Sequence, residues 1–545
     1  MTKIFRAATT DRAMVAVLIV HAALTMPACS SPVESSPATE PAKVPPAAPV
    51  SPVQTPENTV AKSWFGDDPG AFADAWIASM ASFERPVPGG LASLGTTADA
   101  ELARSRRRFV EAKTTDDVYY ALVSLRNTGH DVHRHFGSRG APRELVPKRA
   151  PVVLRLDARV EYAANGAPSY VVSGRGIPPN SVLEAVDGAP MSKVEDVVRE
   201  WYPLRSIEGL REQVAGWLSY RDPIAGPAPL EGDVTKLSMR DPRGARVDVD
   251  MTWSSLGGTS GSQPQEGCCA SFGTAEAFRD YGGRQPSSSG VNWCTYTSGQ
   301  PGLVVARACS FDYPDAQSLR RDQGALLEAL RGMQATRVLF DVRENGGGSF
   351  DPAFFGAFAS ASYKVPVKRL YFAPGFRANP ELLSRAGLFM DPIPNPAARL
   401  KEEMIARPDA LYSSEYAFFC KTTACDASEA VYPAPAVAPT WKAAVLTGPY
   451  CVSACDDFVS IMKDNGIATS IGMPSAAADA PFQYAVPIVF ANGKSLDVTL
   501  TVGVSLRPGT TTILEGNPPS IDVPLLPSAS NRGQYLDAAI AAAKL

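Results

Sequence analysis

A serine flanked by two cysteines stands where an apolar strand gives way to a helix. Ala443–Leu446 reads as a short buried strand, Gly448-Pro449 as a tight turn, and Phe458, Val459, Ile461 and Met462 as the apolar face of a helix. Ser453 falls between them, in Cys451-Val-Ser453-Ala-Cys455. A hydroxyl placed there lies near unpaired backbone N–H groups and the positive end of a helix dipole. That environment suits a nucleophile whose attack creates an oxyanion, and the N–H of Ala454, one residue on, is placed by covalent geometry to help hold it. The same position equally suits a helix-capping serine with no chemistry.

A serine nucleophile needs a base. The chain has four histidines, and His21 lies in an N-terminal targeting segment; His130, His133 and His135 fall within six residues of one another. A histidine base must therefore come from this cluster. The same spacing also admits a metal site, or plain surface imidazoles at a helix end. A second feature is Asn345-Gly-Gly-Gly348, which follows the apolar strand Arg337–Val342. Glycines directly after a strand let backbone N–H groups approach a bound group closely. No Ser/Thr-Lys follows, so the stretch is not a phosphate-binding P-loop. Two such turns at the ends of neighbouring parallel strands put Ser453 and the amides of Gly347 and Gly348 on one sheet edge.

The elements that must position these groups follow from pattern. Residues 1–29 carry Lys3, Arg6 and Arg12, then an apolar run to Leu24, then Thr25-Met-Pro-Ala-Cys29. This resembles a lipoprotein signal, with lipidation expected at Cys29, or a segment cleaved near Ala28. Residues 30–62 are a Pro/Ser/Ala tether that cannot build a core. Residues 63–149 read as a helical domain ending in the histidine cluster. Helices are expected from Ala71 to Phe83, Ala98 to Ala112 and Thr115 to Arg126. Residues 150–254 alternate as short strands with a helix, and Gly176–Pro190 is similar to part of PDZ modules. Residues 255–300 form a Cys-containing insertion or long loop, and 301–545 the core. The expected class is multidomain α+β: a helical domain, a PDZ-like β-domain, and an α/β core with a mainly parallel sheet flanked by helices.

The formal net charge of −4 gives no reason to expect a nucleic-acid partner. Nine cysteines less Cys29 leave an even eight, as an exported disulfide-bonded chain would have. No C-x-x-C spacing argues for zinc, and neither a metal nor another cofactor is expected. Cys451 and Cys455 are placed to brace the turn at Ser453 with a bridge, or to pack there as thiols.

Four stretches together resemble the C-terminal processing, or tail-specific, serine peptidase family. They are Asp131-Val-His133, Asp341-Val-Arg-Glu-Asn-Gly-Gly-Gly348, Val452-Ser453-Ala-Cys-Asp456 and Glu515-Gly-Asn-Pro-Pro-Ser-Ile-Asp522. Asp456 stands where the family usually has Glu. One branch of the family uses a Ser–Lys dyad, but the corresponding loop here, Gly472–Asp479, has no lysine. The other branch, which includes tricorn protease, uses Ser, His and a Glu that matches Glu515, 62 residues after Ser453. The resemblance implies Ser453 as nucleophile, His133 as base with His130 as the alternative, Glu515 orienting the base, and Gly347, Gly348 and Ala454 forming an oxyanion hole. It also implies protein or peptide substrates; the signal-like N-terminus adds the expectation of an exported enzyme on the periplasmic or envelope face of a bacterial membrane, held there by lipid at Cys29. An inactive relative that binds envelope peptides is the alternative from another class. An acyl hydrolase is disfavoured because G-x-S-x-G is absent around Ser453.

Overall fold

The computed structural model describes residues 59–86, 91–136, 140–162, 167–255, 287–288, 292–390, 392–437, 441–476, 481–522 and 532–543. The targeting segment with Cys29, the tether up to residue 58, and residues 256–286 of the insertion lie outside the described residues.

Among the described residues, four α-helices come first: α1 (Thr59–Phe65), α2 (Pro69–Ala81), α3 (Ala98–Glu111) and α4 (Thr115–Asn127). Their starts are fixed by side chains. Asp68, Thr97 and Thr114 each accept a first-turn N–H, and Thr114 with Asp117 closes a reciprocal capping box. α4 is buried along nearly its whole length and ends at the histidine loop. That loop leads into β1 (His135–Phe136), which pairs antiparallel with a core strand, His135 opposite Thr499. The histidines are thereby tied to the core by backbone pairing.

A β-domain follows. β2 (Leu156–Tyr162), β3 (Pro168–Gly174) and β4 (Ile177–Val186) lead to helices α5 (Met191–Arg199) and α6 (Ile207–Ser219), then β5 (Val234–Arg240) and β6 (Arg246–Thr252). All the strand pairs in this sheet are antiparallel, in the order β2-β3-β4-β5-β6.

The core consists of β7 (Trp293–Thr297), β8 (Leu303–Ala308), α7 (Ala316–Gly332), β9 (Arg337–Asp341), β10 (Lys442–Thr447), α8 (Ala454–Asp464) and β11 (Ala468–Gly472). A hairpin, β12 (Phe482–Val489) with β13 (Ser495–Thr501), precedes β14 (Ile521–Asp522) and α9 (Arg532–Ala543). The sheet order is Ser287–Ser288, β7, β8, β9, β10, β11, β14. The pairs from β8 through β14 are parallel, and the two before them antiparallel. The central strands are mostly buried, with apolar stretches such as Val338–Phe340 and Ala443–Leu446, as expected for a sheet covered on both faces. Register sets the site. Asp341 lies opposite Leu446, and Thr447 opposite Gly472, so the turns leaving β9, β10 and β11 emerge side by side. Directly after Asp351 comes a six-residue 3₁₀ turn, Pro352–Ala357, whose Phe354 and Phe355 pack into the core.

Candidate active site

Ser453 occupies the position before α8, but it does not cap the helix. Its backbone has φ 58° and ψ −126°, and no first-turn N–H reaches its side chain. A non-glycine residue in this region is strained, which persists only where the surroundings over-determine it. Those surroundings are visible. Val452 N–H donates to the Asn345 carbonyl at 3.1 Å, and Cys455 N–H to the Val452 carbonyl at 3.0 Å. Asp456 N–H donates to the Ser453 carbonyl at 2.8 Å, and Cys451 and Cys455 are joined by a disulfide. The Ser453 hydroxyl, partly exposed, makes no hydrogen bond among the described residues.

The glycine turn packs directly on this elbow. Gly347 has φ 95°, and a Cβ there would lie 2.7 Å from both the Ser453 Cβ and the Val452 carbonyl oxygen. Gly348 has φ 124°, and a Cβ there would strike the Phe311 backbone at 2.2 Å. Glycine is therefore required at both positions. Asn345, fully buried, holds the turn: its Nδ2 donates to the Ala308 carbonyl at 3.2 Å and its Oδ1 accepts the Gly347 N–H at 2.9 Å. The Gly347 amide, expected to face an oxyanion, donates its N–H to Asn345 in this structure. The amides of Gly348 and Ala454 have no partner among the described residues.

The three histidines are held differently. His130 is buried, with Nδ1 on the Tyr202 carbonyl at 2.7 Å and Nε2 3.9 Å from Glu101. His135 Nδ1 lies 2.8 Å from the His133 carbonyl. His133 Nδ1 faces Asp131 Oδ1 at 3.2 Å, the same oxygen that accepts the His133 backbone N–H at 2.9 Å. Nε2 of His133 is left without a hydrogen-bond partner among the described residues. Among those residues no three His, Cys, Asp or Glu side chains gather as metal ligands.

Glu515 is not on the His133 ring. Its two oxygens are taken by Arg85 Nη1 at 2.9 Å and Arg205 Nη1 at 2.8 Å. Both guanidinium groups are buried, so the strong charge-assisted bonds to Glu515 compensate them. Arg205 also brings Nη2 to 3.9 Å from Asp131 Oδ2 and donates to the Gly129 carbonyl at 3.3 Å. Burial alone would raise the Asp131 pKa. The His133 hydrogen bond and the positive charges of His133, Arg205 and Arg85 outweigh it and hold the carboxyl far below the ordinary carboxylate range. No hydrogen bond joins Ser453 to His133 among the described residues. The two halves of the site are joined instead through Arg205 and the Glu515 turn.

Residues 310–523 match the model described as peptidase family S41. The core is an S41 peptidase domain. No curated protein matches the sequence. The structure of mature CPAF complexed with lactacystin is similar at TM-score 0.56 and 15% identity, over 87% of this chain and 97% of that one. Mature CPAF gives 0.55 at 16%, over 86% and 95%. At such identities the likeness is one of fold. The family makes the chain a serine-type peptidase, whose substrates are proteins or peptides. Ser453, the glycine turn and Glu515 lie within the matched S41 segment; His133, Asp131, Arg85 and Arg205 lie before it.

Within the S41 domain, Asp456 is fully buried and tied to Ser475 Oγ and to Asn517, whose Nδ2 lies 2.8 Å from its carbonyl and 3.2 Å from its Oδ1. Asn517 N–H donates to Ser475 Oγ at 2.7 Å. This network fixes the first turn of α8 to the Glu515 turn. The loop that lacks a lysine thus supplies Ser475 as a structural partner. Sequence reasoning missed Asn517, Ser475, Arg85 and Arg205. The one signal available was that Asn517 sits two residues past Glu515 in the same motif.

Proposed function

We propose that the chain is an exported serine endopeptidase with Ser453 as nucleophile and His133 as general base. The observation that carries this reading is the strained elbow, which presents an unengaged hydroxyl beside the glycine turn. Ser453 Oγ attacks the scissile carbonyl while its proton passes to Nε2 of His133. The imidazolium returns that proton to the leaving amine, and water then repeats the sequence to release the acyl group. The amides of Ala454 and Gly348 hold the oxyanion, each worth about 3 kcal/mol of barrier in such sites. Asp131 orients the imidazole and stabilises its charge. Glu515, the acidic member implied by the family resemblance, acts one layer out by placing Arg205 beside Asp131.

Bridges at Cys420–Cys425 and Cys451–Cys455 support residence in an oxidising compartment. The sequence around Cys29 supports lipid attachment to the envelope face of a membrane. The antiparallel β-domain with α5 and α6 supports a PDZ-like role in presenting an extended peptide. A serine-directed fluorophosphonate tests the central assignment: it labels the purified parent, and labelling disappears in Ser453→Ala. Equal labelling of Ser453→Ala rejects Ser453 as nucleophile.

A further inference from the structure

We infer that the Cys451–Cys455 bridge is a positioning element for Ser453, so that peptidase activity requires this disulfide to be oxidised. The inference rests on Ser453 being the nucleophile. The bridge spans the elbow: Cys451 lies on the strand side of Ser453 and Cys455 on the helix side. Each side is separately anchored. Cys451 N–H donates to the Gly448 carbonyl at 3.0 Å, and its own carbonyl accepts the Ala476 N–H at 3.0 Å. On the helix side the Asp456–Ser475–Asn517 network holds the first turn. Cys455 Sγ lies 3.5 Å from the Val342 carbonyl, at the root of the glycine turn.

Between these anchors Ser453 has an unfavourable backbone conformation and no capping bond of its own to offset it. Relaxing φ at Ser453 would swing Cys451 relative to Cys455, and the covalent link opposes that movement. The bridge therefore acts on the placement of Oγ, not on the fold of the sheet beneath. Both cysteines are fully buried, whereas Cys420 of the Cys420–Cys425 bridge is partly exposed. A reductant thus meets Cys420–Cys425 before Cys451–Cys455, which it reaches only when the elbow opens. A dithiol delivers two electrons and two protons, breaks the S–S bond, leaves two thiols, and is itself oxidised to its cyclic disulfide.

The test uses the full oxidised chain beside Cys451→Ala/Cys455→Ala and Cys420→Ala/Cys425→Ala, with kcat, KM and fluorophosphonate labelling rate measured for each. The elbow variant is expected to lose at least about tenfold in kcat and labelling, equivalent to ~1.4 kcal/mol. Its KM should stay within about twofold, as for an interaction made only in the transition state. The Cys420 variant keeps parental kinetics. Dithiothreitol inactivates the parent and reoxidation restores it, while residual activity of the elbow variant is insensitive to both. Parental kcat in a folded elbow variant overturns the inference. If that variant does not fold, timed alkylation of the parent decides: activity must fall in step with labelling of Cys451 and Cys455. Loss that precedes it, or alkylation without loss, also overturns the inference. Labelling that persists in Ser453→Ala signals failure of the nucleophile assignment itself, a result separate from the bridge kinetics.

Discussion

Arg205 stands between two carboxylates, with Nη1 2.8 Å from Glu515 and Nη2 3.9 Å from Asp131. Asp131 in turn faces Nδ1 of His133, so the acid in contact with the ring is two residues away in sequence rather than 382. Asp131→Asn keeps the size of the side chain but removes the charge that stabilises the imidazolium. A loss of about 10²–10⁴ in kcat with little change in KM is expected, by analogy with the effect of altering the acid in other triads. Steady-state hydrolysis of a peptide substrate measures this.

Glu515→Gln acts differently. It leaves Arg85 and Arg205, both buried, facing a neutral amide. Breaking a buried pair from one side costs roughly 3–5 kcal/mol, less where, as here, the carboxylate is partly exposed. The variant should therefore unfold at lower denaturant than the parent, and the midpoint of a urea titration checks this. A kinetic loss at unchanged stability would place Glu515 on the imidazole instead.

Gly347→Ala introduces a Cβ 2.7 Å from the Ser453 Cβ at a positive φ. Strain of ~1–3 kcal/mol is expected, relieved by displacing the serine or its turn. A fall in the fluorophosphonate labelling rate reports the displacement. Gly466→Ala, also at positive φ but in open space, should keep the parental rate.

Acid stability follows from Asp131. Its folded pKa is depressed, so the unfolded chain takes up the proton first. The ionised carboxylate stabilises the fold fully above the ordinary value near 3.9, and this contribution disappears as pH falls from there toward the lower folded value. Asp131→Asn should lose that segment of the pH–stability curve, read as urea midpoints between about pH 5 and pH 2.

Much of the core was legible because it is local. The apolar strands, the glycines of residues 346–348 and Ser453 at a strand-to-helix turn are all read from spacing. So was the importance of the single histidine cluster. The contacts of Glu515 were not legible in the same way. Glu515 fits the motif by order, but its oxygens are claimed by Arg85 and Arg205, which lie 430 and 310 residues away. Nothing in the local pattern of Arg85 or Arg205 announces that contact. The hydrogen bond on the Gly347 amide was hidden for a similar reason: only the fold shows the Asn345 side chain turned back onto it. The serine looked like a helix cap because its backbone angles, which remove the capping bond, are imposed by tertiary contacts and the Cys451–Cys455 bridge.

The most direct test of the account is hydrolysis of casein by the purified mature chain beside Ser453→Ala and His133→Ala, each verified as folded. The account predicts turnover by the parent and a drop of several orders of magnitude in both variants. Turnover retained in either variant, or an inert parent that no fluorophosphonate labels, would contradict it.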